Sequence, residues 1–571
     1  MLASMILQVR SCGRNYLRFY SSMKVSKVKV PVKQGIVVGE QHRMPNGLEY
    51  ESFLGVPYAE PPVGELRFRS PVPLERFQQH ELDCSKHGDV SPQKDPFTLE
   101  VTGSENCLFL NVFKPKSTNS NSPLPVMVWV HGGGFLFGNG NRDFHFPVHL
   151  MEQGVVVVTL NYRLGALGFL SLPEEGIFGN AGLKDQRLAL QWINQNIANF
   201  NGDPQNVTLF GESAGAASVH LHAYAKHANK LFHKAIMQSG TGNMEWVFQN
   251  QPEYKTRRLA ELLGAEQNVV NDSKKLLQFL QSEKITPLRI GANTMSVLTS
   301  DERRRHLPFT FKPVVEPSHS PDSFIDQDIL DLLHQRETLG SLPMIMGYNS
   351  GEGMAMVTAA KKKLDVFEKD LARLVPRNLI NDPNDPEVVA VTADIRDFYF
   401  NGQNVTEDRL DNLVDLFSDY HFTKDMQHAA EIHVACQTQS PLYFYRLDYV
   451  GGRNLYKKVF QNDHLRGVAH ADDISYIFQM YGDQTPYEPA DLTVSRKLCN
   501  LWANFARYGK PSEDWKPVQK PQHGKSFQLD FMLINKECRM ERNPDAERME
   551  FWRTMYKRYN TKCYKSLKAK L

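Results

Sequence analysis

Gly211-Glu212-Ser213-Ala214-Gly215 has the G-x-S-x-G form in which a serine hydroxyl can act as a nucleophile. Its flanks suit that role, since Val207 to Phe210 reads as an apolar strand and the run from Ala214 as a helix. At such a sharp turn the serine takes a strained backbone, and the glycines let strand and helix pass closely. With Gly and Ser each at ~7% usage, the bare pattern arises by chance in roughly one chain of this length in five or six. The flanks therefore carry the inference. A second element, His131-Gly132-Gly133-Gly134-Phe135, follows the apolar run Val126 to Val130. Adjacent glycines can turn backbone N–H groups toward one point, and each such donor to an oxyanion contributes ~2.7–4 kcal/mol in a transition state. A glycine triplet alone would read as a flexible loop. Between a buried strand and a downstream G-x-S-x-G, it reads as an oxyanion loop, with the amides of Gly133, Gly134 and Ala214 as the expected donors. A serine nucleophile also needs a base, and the base needs a carboxylate to orient it. Thirteen of the 19 histidines lie after Ser213, and spacing alone does not choose among them.

Positioning these groups requires a parallel sheet. Val126 to Val130, Val155 to Leu160, Val207 to Phe210 and Ala235 to Met237 are short apolar runs of the buried-strand kind. Between the second and third, Leu183 to Ile193 repeats its apolar residues at helical spacing. Strand and helix alternate, which predicts a large, mostly parallel central sheet flanked by helices. Residues 36–113 read as an irregular antiparallel start, rich in Pro and Gly. Residues 360–440 are charged and helix-favouring, broken by Asn381-Asp382-Pro383-Asn384-Asp385-Pro386, and predict helical insertions over the active site. A strand returns at Leu442 to Leu447, with helices around Leu498 to Tyr508 and Ala546 to Tyr559. No repeat or second core is visible, so residues 31–571 are expected as one domain behind an extension at 1–30.

Composition excludes several function classes. Lys plus Arg total 66 against 64 for Asp plus Glu, so no global field attracts nucleic acid. Seven cysteines (12, 84, 107, 436, 499, 538 and 563) show no CxxC spacing, which gives zinc and redox readings little support, and a serine nucleophile with its base needs neither a metal nor an organic cofactor. No run reaches the ~20 apolar residues of a membrane span. Sequons at Asn206, Asn271 and Asn404 matter only in a secreted chain, and Asn206 directly precedes a strand. The short apolar run Met1 to Leu7 lies ahead of Arg10, the reverse of a signal peptide. Residues 1–39 lack Asp and Glu and carry Arg10, Arg14 and Arg18 at a spacing of four, as in a mitochondrial transit peptide. A disordered extension, or a start at Met23, is the competing reading. The expectation is an intracellular protein, cytoplasmic or mitochondrial. The final Ala569-Lys570-Leu571 is similar to a peroxisomal address, and three residues carry little.

Four further segments extend the pattern: Phe53 to Ala59 (FLGVPYA), Ser104 to Val112 (SENCLFLNV), Asn161 to Gly165 (NYRLG) and Gly179 to Gln186 (GNAGLKDQ). With the two catalytic motifs, they make residues 35 to 560 resemble the type-B carboxylesterase and cholinesterase-like family, and among its branches the insect alpha-esterases. The resemblance implies an α/β-hydrolase fold and an intracellular carboxylesterase without a cofactor. The family's acid lies in Gly-x-x-x-x-Glu-Gly, here Gly347 to Gly353, which carries that role to Glu352. Its histidine lies in Gly-x-x-His-x-x-Asp/Glu, here Gly467 to Asp473, which carries it to His470. Glu212 and Trp246 align with pocket positions, with core packing as the alternative for Trp246. Cys84 and Cys107 match a family disulfide and are expected as thiols in a reducing compartment. A cholinesterase would carry a Trp between those cysteines for cation–π binding of choline, and here the segment has Phe97 but no Trp. A juvenile hormone esterase typically has Gln where this chain has Glu212. Adhesion proteins of the family lose the nucleophile or the histidine, and here every position is filled. The implied reaction is hydrolysis of a small-molecule ester, of the xenobiotic or lipid type, through an acyl-serine that organophosphates would mimic.

Overall fold

The computed structural model describes residues 26–44, 46–95, 98–116, 122–225, 228–305, 309–334, 342–436, 440–479, 487–520 and 527–559. The arginine-bearing N-terminal segment with Met23, together with Cys12, Phe97, Cys563 and the C-terminal tripeptide, lies outside them.

Apolar runs too hydrophobic for a one-sided strand take the middle of a sheet, where both faces are covered. The strands are β1 (Ser26–Val32), β2 (Gly35–Arg43), β3 (Glu49–Pro57), β4 (Phe109–Pro115), β5 (Leu124–Val130), β6 (Val156–Leu160), β7 (Gly202–Glu212), β8 (Lys234–Gln238), β9 (Met344–Asn349), β10 (Leu442–Leu447), β11 (Asp530–Ile534) and β12 (Arg539–Arg542). Their order across the sheet is β1, β2, β3, β4, β6, β5, β7, β8, β9, β10, β11, β12, and a thirteenth, short strand, Glu81–Asp83, pairs parallel with β2 off this path. Neighbours from β6 to β11 are parallel. The first four strands, the β4–β6 contact and β12 are antiparallel.

Side chains alternate across β5: Val126, Val128 and Val130 enter one core, Met127 and Trp129 the other. The principal helices are α1 (Ala181–Asn196), α2 (Ala214–Tyr224), α3 (Leu410–Ser418), α4 (Lys424–Cys436), α5 (Pro489–Tyr508) and α6 (Ala546–Tyr559). The core that takes Val126 also holds Val219 and Leu221 of α2, whereas Trp129 packs with Leu498 and Trp502 of α5. Helix α5 begins with Pro489 in its first turn and stops at Gly509, whose left-handed backbone (φ 71°) donates to the Phe505 carbonyl.

Three features differ from the sequence reading. Strand β1 begins at Ser26, so residues 26–30 belong to the sheet and not to the extension. The cue is the alternation Lys27-Val28-Lys29-Val30-Pro31-Val32, with Val30 and Val32 buried. Strand β9 was not anticipated, because its apolar run Met344-Ile345-Met346 is broken at once by Gly347. The helical layer holds its own apolar cluster, with Phe367, Leu374, Val391, Ile395 and Phe417 packed around Trp552 of α6.

The four segments behind the resemblance are sewn to one another. Asn111 accepts the Gly55 amide at 3.0 Å, and the Tyr58 hydroxyl donates to the Asn161 carbonyl at 2.6 Å. Arg67 forms a paired contact with Glu105, at 2.6 and 2.9 Å. Arg163 of NYRLG donates from its backbone amide (3.0 Å) and its guanidinium (2.8 and 2.6 Å) to Asp185 of GNAGLKDQ, both residues being buried. Removing one partner strands a buried charge, which costs ~3–5 kcal/mol. Arg163→Met is therefore expected to lower unfolding stability in urea by about that amount, and Arg163→Met with Asp185→Leu to recover part of it.

Candidate active site

Ser213 stands between β7 and α2 with φ 56° and ψ −122°. Its amide donates to the Gln238 carbonyl of β8 at 2.8 Å, and its carbonyl accepts from Ala217 at 2.9 Å. The flanking glycines are required by space. A Cβ on Gly211 would come within 2.6 Å of the Val130 carbonyl oxygen, and one on Gly215 within 2.0 Å. The end of β5 thus passes directly beneath the turn.

The chain leaving β5 is the glycine loop. His131 stacks on Tyr162, centroids 4.5 Å apart, and the Tyr162 hydroxyl donates to the His131 carbonyl at 3.0 Å. A Cβ on Gly132 would sit 3.0 Å from the Ser213 Cβ, so the loop runs against the serine. Gly133 and Gly134 take positive φ, 106° and 61°. Neither amide has an acceptor among the described residues. Ala214, the first residue of α2, likewise offers an amide with no intrahelical acceptor.

Glu352 follows β9 and is fully buried. One oxygen accepts from the Ser239 hydroxyl at 2.5 Å and the Asn349 amide at 2.7 Å. The other lies 2.6 Å from His470 Nδ1, and His470 Nε2 lies 2.9 Å from Ser213 Oγ. Two loops are clasped to make this contact: the Gly351 amide donates to the Val468 carbonyl at 2.8 Å, and the Asn349 side chain to the Ala469 carbonyl at 2.9 Å. Asp472 caps the histidine loop, accepting the amides of Ala469, Tyr456 and Lys457 at 2.9 to 3.1 Å. With Nδ1 facing a carboxylate, the ring hydrogen belongs on Nδ1 and the Nε2 lone pair faces the hydroxyl. Such a ring can remove the hydroxyl proton while the carboxylate balances the charge it gains.

Other carboxyls surround the ring. Glu212 Oε1 lies 3.1 Å from His470 Nε2. Asp473, behind the histidine, accepts from Gln238 at 2.6 Å and Asn349 at 3.2 Å. Burial raises the Glu212 carboxyl well above its ordinary range, with Asp473 and Glu352 adding to the rise against the pull of His470. Burial opposes charge on His470, but the Glu212 and Glu352 carboxylates outweigh it and hold the ring above an ordinary histidine.

Trp246 is packed, with its indole N–H donated to the His421 carbonyl at 2.9 Å. Its ring neighbours are Phe135, Phe309 and Phe422, and Phe309 also lies where a Gly134 side chain would be. An aromatic wall therefore adjoins the glycine loop. Cys84 and Cys107 are buried free thiols, each pushed up to about 12 by burial. Asn206 lies inside β7 with its side chain bound to Lys234. The sequence reading missed Gln238, Ser239 and Asn349, although each ends a parallel strand or directly follows one, where such sheets place functional groups. It missed Phe422 as well, for which no local signal exists.

The carboxylesterase family model matches residues 26–552. A carboxylic ester hydrolase of Bombus ignitus is 31% identical over 543 residues, covering 92% of this chain and 94% of that protein. A juvenile hormone esterase of Tribolium castaneum is 30% identical over 573 residues, covering 94% and 96%. The crystal structure of juvenile hormone esterase from Manduca sexta, with OTFP covalently attached, superposes with a TM-score of 0.80 at 28% identity, covering 93% of this chain and 100% of that one. The fold is accordingly that of the α/β-hydrolases, and the chain belongs to the carboxylesterase family, whose work is the hydrolysis of carboxylic esters.

Proposed function

We propose that Ser213, His470 and Glu352 form the catalytic triad of a serine carboxylesterase and that the amides of Gly133, Gly134 and Ala214 form its oxyanion hole. The observation that carries the reading is the unbroken line from Ser213 Oγ to His470 Nε2 (2.9 Å) and from His470 Nδ1 to Glu352 (2.6 Å). His470 takes the hydroxyl proton, Ser213 Oγ attacks the ester carbonyl, and the resulting oxyanion accepts hydrogen bonds from the three amides. His470 then returns the proton to the departing alcohol. Water, deprotonated by the same ring, repeats the attack on the acyl-serine and releases the acid. Glu352 fixes the ring through both half-reactions. The aromatic wall of Trp246, Phe309 and Phe135 favours apolar esters of the xenobiotic or lipid type.

Three outcomes are expected. Purified enzyme should release p-nitrophenol from p-nitrophenyl butyrate, and Ser213→Ala should lose at least roughly 10³-fold in kcat; an active Ser213→Ala would sink the assignment. A dialkyl organophosphate should add one phosphoryl group to the intact protein, seen by mass spectrometry on the wild type and absent from Ser213→Ala, because the tetrahedral adduct resembles the intermediate. The third concerns pH. His470 acts as a base only when unprotonated, so kcat/KM should rise with pH along a limb above the ordinary histidine value of ~6.5. Glu212→Gln removes one of the carboxylates that favour the imidazolium, so the limb should move to lower pH; a limb that stays put or rises would remove Glu212 from the account.

A further inference from the structure

Between α3 and α4 the backbone widens into a π turn, Asp419–Thr423, and successive residues around it reach different elements. The Ser418 hydroxyl oxygen accepts the amide of Gly353, the residue after Glu352, at 2.8 Å. Asp419, fully buried, accepts the Tyr399 hydroxyl at 2.6 Å and lies 3.4 Å from Arg548 of α6. The Tyr420 hydroxyl is bonded to Arg305, which also holds Glu245, the neighbour of Trp246. The His421 carbonyl takes the Trp246 indole hydrogen. Phe422 then sets its ring against that of His470, centroids 4.5 Å apart and planes 30° apart. A π turn departs from the regular α-helical ladder, and such turns are frequent at functional sites. Here the ties on four consecutive residues, 418 to 421, fix where the fifth side chain points.

That matters because His470 Nε2 has two partners at nearly equal reach, Ser213 Oγ at 2.9 Å and Glu212 Oε1 at 3.1 Å. The hydrogen bond at Nδ1 anchors one end of the ring to Glu352 but resists an out-of-plane swing about that nitrogen only weakly. A swing of that kind would carry Nε2 off the serine and free it to take the carboxyl instead. A ring packed on the imidazole face opposes it, and an aromatic face also tolerates the imidazolium that forms when the proton is taken.

We propose that Phe422 is a positioning residue for the hydrolysis: its ring holds the His470 imidazole on Ser213 and off Glu212, and the π turn tied at Ser418 to His421 holds Phe422 in place. The proposal rests on the Ser213–His470–Glu352 reading above. The test compares Phe422→Leu, Phe422→Tyr and Tyr420→Phe with wild type on p-nitrophenyl acetate and p-nitrophenyl butyrate, with a thermal melt of each variant and Ser213→Ala run alongside. Phe422→Leu should lower kcat by roughly tenfold on both esters while KM stays within about threefold, since a misaimed base slows chemistry whatever the acyl chain. Phe422→Tyr, which keeps the ring, should restore kcat to within about threefold of wild type. Tyr420→Phe, which removes only the tie to Arg305, should lower kcat by roughly threefold at unchanged KM, and it carries the test should Phe422→Leu fail to fold. A Phe422→Leu loss confined to the longer ester and accompanied by a changed KM would make Phe422 a pocket wall and overturn the proposal. Unchanged kcat in Phe422→Leu would overturn it too, as would a Tyr variant no better than the Leu or, should Phe422→Leu not fold, unchanged kcat in Tyr420→Phe. Activity surviving in Ser213→Ala would instead overturn the triad reading, and this proposal with it.

Discussion

A non-glycine residue at φ 56°, ψ −122° does not hold that conformation unaided. Ser213 holds it because both sides of the turn are fixed: its amide is bound to β8, its carbonyl to the first turn of α2, and the end of β5 passes so close that neither Gly211 nor Gly215 could carry a side chain. The cost of the strained residue, on the order of 1–3 kcal/mol, is small beside the burial of three parallel strands and the helix that follows. The return is geometric. The serine sits at the carboxyl end of β7, and the glycine loop, which leaves the neighbouring strand β5, runs directly against it at the start of α2. The site and the sheet order are thus one constraint, since the loop meets the serine only if β5 and β7 are neighbours.

How much of this was legible follows from how local each feature is. The elbow and the glycine loop are written in consecutive residues with their strands, and the structure has strands and helix where those flanks predict them. His470 lies 257 residues from Ser213, and nothing in periodicity or composition selects it among the later histidines. Only the resemblance singled out His470 and Glu352. Strand β9, which delivers Glu352, was invisible because three apolar residues before a glycine are too short a run to distinguish a strand from a loop. Ser239 and Asn349 are marked only by their place at the ends of parallel strands, and Phe422 acts through a contact across the fold that no pattern along the chain marks. Trp246, for which packing and pocket were both open, is buried among aromatics that adjoin the glycine loop, so one residue serves the core and bounds the site.

The family segments behave differently from the catalytic ones. FLGVPYA, SENCLFLNV, NYRLG and GNAGLKDQ hold none of the residues hydrogen-bonded to Ser213, yet they bind each other through Asn111, Tyr58 and the Arg163–Asp185 pair. A buried ion pair adds little net stability compared with apolar residues of the same size, but it penalises every arrangement in which it is broken. Its value here is one of register: β6 leads into Arg163 and α1 carries Asp185, so the crossover that leads on to β7 can dock in one way. Motif residues remote from the chemistry are thereby tied to it through the placement of the elbow strand.

The charges at the site obey a similar logic of partners. Glu352 receives hydrogen bonds from a serine hydroxyl, a backbone amide and the histidine, while Asp473 receives them from Gln238 and Asn349. Among the described residues Glu212 has the shared contact with His470 Nε2. Burial of a carboxyl raises its proton affinity, and the rise is greatest where hydrogen bonds answer the burial least. Burial raises both Asp473 and Glu212; the hydrogen bonds from Gln238 and Asn349 oppose the rise at Asp473, whereas Glu212, the residue next to Ser213, rises well above the ordinary carboxylate range.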